Sequence, residues 1–112
     1  MINITIYKSK NHVCGIECSG HSGYAPYGSD IVCSSVSSLV CACHLGFAQV
    51  AKNVKFLHKQ DDENGYFKLM LLQPNHDAEV ILQTVVGSIR EIAEGYKKYI
   101  AIKYKESKNE IY

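Results

Sequence analysis

The sequence predicts a single α+β domain in which two helices pack against antiparallel β-hairpins, in the order ββαββα(β). Short segments that alternate apolar and polar residues indicate strands, and two longer stretches with apolar residues at helical spacing indicate helices. The length of 112 residues suits one domain, and a hydrophobic content of 46% is enough for one core. We therefore treat residues 1–112 as one unit.

Four segments are predicted to pair as two β-hairpins. Residues 2–8 alternate apolar and polar side chains, and residues 13–19 follow after a short polar link. Residues 54–59 and 66–72 form the second pair. The polar stretch 61–65 ends in an Asn-Gly pair, which can adopt positive φ, and we expect it to form the turn between these two strands.

The first helix is predicted over residues 30–52. Ser29 or Asp30 is expected to cap it, and the carboxylate of Asp30 suits the positive end of the helix dipole. Its apolar residues recur at 3.6-residue spacing and should face the core. They are Val32, Val36, Leu39, Val40, Cys43, Phe47 and Val50.

The second helix is predicted to begin at Pro74 and Asn75 and to continue to about residue 99. Residues 100–105 follow as a last short strand. The side chains of this helix that should face inward are Ile81, Val85, Ile89, Ile92 and Tyr96.

Between the first hairpin and the first helix, the stretch 20–29 is predicted to be a loop. Glycine and proline are so frequent in it that a regular element is excluded, and we expect the backbone to be mobile without a ligand. Tyr24 and Tyr27 either pin the loop to the surface or line a substrate groove. The glycines of the loop are Gly20, Gly23 and Gly28.

Cys33 and His21 are the residues best placed for chemistry. Cys33 falls in the first turn of the first helix, where free backbone N–H groups favour a thiolate and can stabilise an oxyanion. His21 lies in the preceding loop, which can fold back and bring imidazole to thiol, the minimum for nucleophilic acyl transfer. Asp30 is either a third member that orients the imidazole or only a helix-start carboxylate.

Metal binding is the main alternative for the other cysteines. Cys41 and Cys43 are two residues apart on a helix and point away from each other. Cys14, Cys18 and His21 are better zinc candidates, but the two cysteines would lie roughly 13 Å apart on one face of a strand. We therefore expect no metal and no cofactor.

The charge balance excludes a dedicated nucleic-acid binder, because 12 Lys+Arg stand against 11 Asp+Glu, a net charge of +1. We find no continuous apolar run of the length of a membrane span and no apolar block typical of a signal peptide. The protein is therefore expected in the cytoplasm, without membrane contact, where its five cysteines should be free thiols.

Residues 20–37 read G-H-S-G-Y-A-P-Y-G-S-D-I-V-C-S-S-V-S. This stretch resembles the motif of the ribosomal-processing cysteine protease (Prp) family, G-H-x-G-Y-A-x-x-G-x-D-I-V-C-x-x-V-S. The residue after the histidine is usually alanine in that family and is Ser22 here. The pair after the cysteine is usually Ala-Ala and is Ser34-Ser35 here. The length of the chain and the order of its elements fit the family more loosely.

The resemblance implies a catalytic dyad in which Cys33 is the nucleophile and His21 the general base. Asp30 and Ser37 match further residues of the motif and are expected to support the dyad. The substrate loop would be formed by Gly20, Gly23, Tyr24, Tyr27 and Gly28.

The resemblance also implies a substrate and an assembly. The family removes a short N-terminal extension from the large-subunit ribosomal protein L-twenty-seven, and its members form homodimers. Two readings of another class stay open: a ribosome-associated binding module without turnover, and a thiol redox or metal protein.

Overall fold

Five strands and two helices make up the fold. The structure, a computed structural model, describes residues 1–112. The element order confirms the predicted ββαββα(β) arrangement. The elements are β1 (Ile2–Ser9), β2 (His12–Ser19), α1 (Ile31–Leu45), a π-helical turn (Gly46–Val50), β3 (Phe56–Asp61), β4 (Tyr66–Leu71), α2 (His76–Gly95) and β5 (Ile100–Glu106).

The strands form one mixed sheet in the order β3-β4-β2-β1-β5. Neighbouring strands are antiparallel except for β1 and β5, which are parallel. The prediction of an antiparallel sheet therefore needs one correction. The helix α2 carries the chain from β4 across the sheet to its far edge, and a helical crossover of this kind returns a strand in the same direction as the one it left.

The core lies between one face of the sheet and the two helices. Alternate residues of the strands point to this face, as the period of two requires. The buried strand residues are Ile2, Ile4 and Ile6 in β1, Cys14, Ile16 and Cys18 in β2, Phe67, Leu69 and Leu71 in β4, and Ile100 in β5.

The first helix is capped by Asp30, one of the two predicted caps, and its inward residues confirm most of the predicted stripe. The prediction fails at Val50, whose side chain is 67% exposed. The last turn, Gly46–Val50, is π-helical. Because a π turn holds more residues than an α turn, the chain after it leaves the 3.6-residue stripe.

Residues Ile31–Val50 are long and apolar enough to cross a membrane, judged by length and composition alone. In this fold the segment contributes to the core the side chains of Val32, Val36, Val40, Cys43 and Phe47. Three other apolar residues, Ile31, Leu45 and Val50, are exposed, and four serines lie along the same helix. Core packing accounts for the apolar residues on the buried face of the segment.

The second helix begins at the predicted place, with the side chain of Asn75 accepting the backbone N–H of Ala78. It ends at Gly95, earlier than predicted, because Tyr96 leaves the helical conformation with φ −137° and ψ 46°. Val85 and Ile89 are buried as predicted. The other three predicted core residues are only half-buried: Ile81, Ile92 and Tyr96.

Candidate active site

A cavity of about 700 Å³ opens between the loop 20–29, the first half of α1 and the β3–β4 turn. Its apolar floor includes Ile2, Val36, Val40 and Phe67. Most of the residues predicted for the site lie around this cavity. They are Gly20, His21, Gly23, Tyr27, Gly28, Asp30, Cys33 and Ser37.

Cys33 lies half-buried in the first turn of α1, as predicted. The backbone N–H of Ser22 donates a hydrogen bond to its Sγ, over 3.2 Å between nitrogen and sulfur. Because Ser22 is the residue after His21, this contact brings the histidine backbone next to the nucleophile candidate. A donor directed at sulfur favours the thiolate.

His21 is exposed, and its ring lies against the β3–β4 turn. A Cβ added at Gly65 would lie 2.9 Å from Cε1 and 3.0 Å from Nε2 of the ring. The backbone N–H of Gly20 donates to the carbonyl of Gly65 over 2.9 Å, which holds the start of the loop on the same turn. The ring makes no hydrogen bond to Cys33, so the two side chains share the cavity without contact between donor and acceptor.

Gly65 is the residue at this site that the sequence reasoning placed only in a turn. Its φ of +61° favours glycine, and the ring of His21 occupies the space that a side chain would fill. The predicted Asn-Gly turn is therefore present, with positive φ at the glycine but not at Asn64. Nothing in the local sequence shows that this turn meets the loop 20–29.

Asp30 joins the loop to the helix. Its Oδ1 accepts the backbone N–H groups of Val32 and Cys33, over 3.0 and 2.9 Å, and its Oδ2 accepts the hydroxyl of Ser22. Partial desolvation acts to raise the pKa of Asp30, but the hydrogen bonds from Ser22 and Cys33 outweigh it and the pKa falls below its ordinary value. Of the two predicted roles, the contacts match helix capping; Asp30 makes no hydrogen bond to His21.

These contacts reduce the number of backbone N–H groups that are available for the predicted oxyanion hole. The N–H groups of Val32 and Cys33 are engaged by Asp30, and that of Ser34 donates to the carbonyl of Asp30. Among the first four residues of α1, only Ile31 keeps a backbone N–H without a protein acceptor, and Ile31 lines the cavity. The helix start thus offers one free donor and not several.

The two tyrosines of the loop differ. Tyr24 packs edge-on against Tyr96 and Tyr99, with ring centroids 5.7 and 5.2 Å apart, and this favours an anchoring role. Tyr27 is 97% exposed and lines the cavity. Ser37, one turn along α1 from Cys33, is exposed on the cavity wall.

The glycines of the loop all adopt the left-handed backbone conformation, with φ of +92°, +75° and +90° at Gly20, Gly23 and Gly28. A side chain at Gly20 would also meet the backbone of Met1, 2.6 Å away. The path of the loop therefore depends on glycine at these positions.

The other cysteines lie in different surroundings. Burial raises the pKa of Cys43 to about 12, and burial followed by the charge of Glu17 raises that of Cys18 to about 12. Cys41 is exposed at the cavity rim. No three His, Cys, Asp or Glu side chains are grouped closely enough to hold a metal ion.

Comparison with known proteins extends the similarity beyond the motif. The family profile described as cysteine protease Prp matches residues 1–101. The ribosomal processing cysteine protease Prp of Staphylococcus aureus (strain Mu50) is 29% identical over 108 residues, covering 93% of this chain and 97% of that protein.

Two crystal structures of the S. aureus ribosomal processing protease Prp share the fold. The complex with a covalently linked product peptide matches with a TM-score of 0.87 and 28% identity, over 94% of this chain and 100% of that chain. The complex with a substrate peptide matches with a TM-score of 0.82 and 27% identity, over the same shares. The similarity therefore covers the sheet and both helices.

Proposed function

The chain belongs to the cysteine protease Prp family, and from this premise we propose that it removes a short N-terminal extension from the large-subunit ribosomal protein L-twenty-seven. It is a cysteine protease. The S. aureus relative is a ribosomal processing protease and has been solved with a substrate peptide. In our proposal Cys33 is the nucleophile and His21 the general base.

One observation carries the assignment of the dyad. Cys33, in the first turn of α1, and His21, in the loop before it, line the same cavity. The backbone N–H of Ser22, the residue after His21, donates to Sγ of Cys33. No other cysteine of the chain combines a helix start, a hydrogen-bond donor on sulfur and a histidine in the same cavity.

The proposed reaction begins with an extended peptide in the cavity. His21 leaves its position on Gly65 and takes the proton of the Cys33 thiol, and the thiolate attacks the scissile carbonyl carbon. The N–H of Ile31 is the free donor for the oxyanion. His21 then gives its proton to the leaving amine, and the C–N bond breaks to leave a thioester on Cys33.

A water molecule completes the cycle. The now neutral His21 takes a proton from water, hydroxide adds to the thioester carbon, and the C–S bond breaks to release the product as a carboxylic acid, which loses its proton to solvent. The sulfur leaves as thiolate, so the proton that His21 holds restores the starting state. His21 carries each proton that is moved at the dyad, and no metal or cofactor is required.

The shape of the cavity supports an extended substrate with apolar side chains. Its floor is apolar, and Tyr27 stands exposed at the rim, where a ring can cover a bound chain. We further propose that the protein works in the cytoplasm as a homodimer and contacts neither nucleic acid nor membrane directly. Light scattering of the purified protein tests the dimer.

Incubation of the purified chain with L-twenty-seven, with and without its extension, tests the function. We expect mass spectrometry to show one cut that releases the extension, and no cut in His21→Ala. Ser38→Ala, an exposed change on α1 away from the cavity, is the control and should cut normally. A chain that binds the precursor and never cuts it would support the binding-module reading and refute the protease.

A further inference from the structure

The side chain of Ser22 bridges the loop and the helix. It is 3% exposed, although it lies in a loop rich in glycine. Its hydroxyl donates to Oδ2 of Asp30 and accepts the backbone N–H of Tyr24, over 3.1 Å. Its own backbone N–H donates to Sγ of Cys33 over 3.2 Å. Every polar group of Ser22 apart from its carbonyl is therefore engaged at the site.

Asp30 ties these contacts to the helix. Its other carboxylate oxygen holds the N–H groups of Val32 and Cys33, so the carboxylate cannot move without breaking the helix cap. The hydroxyl of Ser22 is the only side-chain donor from the loop to this carboxylate. The Ser22 hydroxyl is thus the one side-chain link from this part of the loop to the helix cap. The peptide group that carries the Ser22 N–H is also held on its other side, where the N-terminal ammonium of Met1 donates to the carbonyl of His21 over 2.7 Å.

We infer that Ser22 is a positioning residue: its hydroxyl, bonded to Asp30, holds its own N–H on the sulfur of Cys33 and so stabilises the thiolate before substrate binds. This deepens the proposed function and rests on Cys33 as the nucleophile. An N–H group directed at sulfur stabilises the charged form of a thiol more than the neutral form.

Two serines close to Ser22 make hydrogen bonds of a different kind. The hydroxyl of Ser34 donates to the carbonyls of Asp30 and Ile31, and that of Ser35 donates to the carbonyl of Val32. All three bonds stay within α1 and its cap, and neither hydroxyl donates to the loop. Removal of the Ser35 hydroxyl therefore changes the same helix turn without touching the link to the loop.

The test is the rate of iodoacetamide alkylation at Cys33 between pH 5 and 9, followed by mass spectrometry, in the wild type, Ser22→Ala and Ser35→Ala. We expect Ser22→Ala to alkylate about fivefold more slowly at pH 7, the equivalent of about one hydrogen bond. Its curve should move to higher pH and meet the wild-type curve at the alkaline end. Ser35→Ala should follow the wild type.

An unchanged curve for Ser22→Ala would overturn the inference. Circular dichroism checks the fold, and Ser22→Gly removes the same hydroxyl should the alanine variant not fold. In cleavage assays, Ser22→Ala should lower kcat and leave KM nearly unchanged, as expected for a residue that acts through the nucleophile.

Alkylation needs no ribosomal substrate, so the two proposals can fail separately. A normal wild-type cut together with an unchanged Ser22→Ala curve would refute the positioning role alone. A shifted curve in a chain that never cuts the precursor would refute the proposed function and leave the role of Ser22 standing.

Discussion

The two ends of helix α1 carry the same residue type in opposite surroundings. Cys33, in the first turn, is half-buried, lines the cavity and accepts the Ser22 amide. Cys43, near the last turn, is fully buried, and desolvation raises its pKa to about 12. The comparison shows that position on the helix and the loop above it, and not residue type, decide which thiol is available for chemistry.

The two ends are also held by different forces. At the first turn, Oδ1 of Asp30 accepts the N–H groups of Val32 and Cys33, and its Oδ2 accepts the hydroxyl of Ser22 from the loop. At the last turn, Gly46 packs so closely on Ile81 that an added Cβ would lie 3.0 Å from two of its carbons. The first end is therefore held by hydrogen bonds and borders the cavity, whereas the second end is held by the burial of Gly46 and Phe47 in the core.

The largest expected effect comes from exchanging the two cysteines for alanine, one at a time. Cys33→Ala should lower cleavage of the extended precursor by at least about a thousandfold, because the nucleophile is lost. Its free energy of unfolding should fall by only about 1 kcal/mol. Cys43→Ala should cut normally and lose about 1–2 kcal/mol of stability, since it leaves a small cavity in the core. Cleavage rates and urea unfolding measure the two effects; substantial cutting by Cys33→Ala would contradict the nucleophile assignment.

The same comparison predicts an order of labelling among the cysteines. Under limited iodoacetamide near neutral pH, Cys33 should react first and the exposed Cys41 second. Burial raises the pKa of the other three cysteines, and these should react at least about tenfold more slowly. They are Cys14, Cys18 and Cys43. Peptide mapping by mass spectrometry gives the order, and labelling of Cys41 ahead of Cys33 would count against an activated thiol.

Two glycines, one in the turn beside the first end of α1 and one at its second end, allow the two ends to be tested separately. Gly65→Ala places a methyl group 2.9 Å from the carbonyl of Gly20 and against the ring of His21. Because the turn holds the start of the loop through Gly20, this group should displace the loop that carries His21, and we expect kcat/KM to fall about tenfold. Gly46→Ala presses on Ile81 and should lower stability by about 1–3 kcal/mol with normal cleavage.

Gly87→Ala, in open space on α2, is the matched control for both variants. It should leave cleavage unchanged and raise stability slightly, since alanine favours a helix. The assays are run at a temperature at which all variants are folded, so that a change in activity is not caused by a loss of stability. Normal kcat/KM in Gly65→Ala would show that the turn does not hold the loop that carries His21.

Local patterns account for what could be predicted. The alternation in β1 and the stripe in α1 follow from the period of each element, and Asp30 as a cap follows from its place before the helix. The motif also predicted that His21 and Cys33 share one site. These features depend on residues close together in the sequence.

The features that were missed depend on long-range geometry. Gly65 meets His21 because β2 pairs with β4, which places Ser19 opposite Tyr66 at the sheet end. No local pattern shows that pairing. The burial expected at Val50 failed because a π turn has no periodic signal in the sequence. The bond from Ser22 to Asp30 was missed because a buried serine in a loop looks like any other loop serine.

The smallest expected effect concerns the loop 20–29, which the sequence predicted to be mobile as a whole. The contacts of the loop divide it into a first half that is held in place and a second half that is not. Residues 20–24 are tied down by Gly20 on Gly65, by Ser22 on Asp30 and by Tyr24 on its two tyrosine neighbours. Residues 25–29 have one internal backbone hydrogen bond, from Ser29 to Pro26. We therefore expect mobility in the second half of the loop only.

Hydrogen exchange on the free protein, on free Cys33→Ala and on Cys33→Ala with a bound peptide tests this division. Residues 20–24 should be protected in the free wild type, and 25–29 should gain protection only with peptide. Ordering five residues costs roughly 5 kcal/mol if they are fully disordered, about half the cost for the whole loop, and a bound peptide can more readily supply it. The Cys33→Ala substitution also removes the sulfur that accepts the Ser22 N–H. The free Cys33→Ala protein is therefore the control that shows how much of a change in exchange comes from this loss and how much from the peptide. Fast exchange at 20–24 in the free protein would mean that the start of α1 does not hold the loop, and strong protection of 25–29 without peptide would mean that the whole site is preformed. The contacts at Asp30 and Gly65 favour a site in which the backbone beside Cys33 is fixed in advance and only its outer cover orders on the substrate.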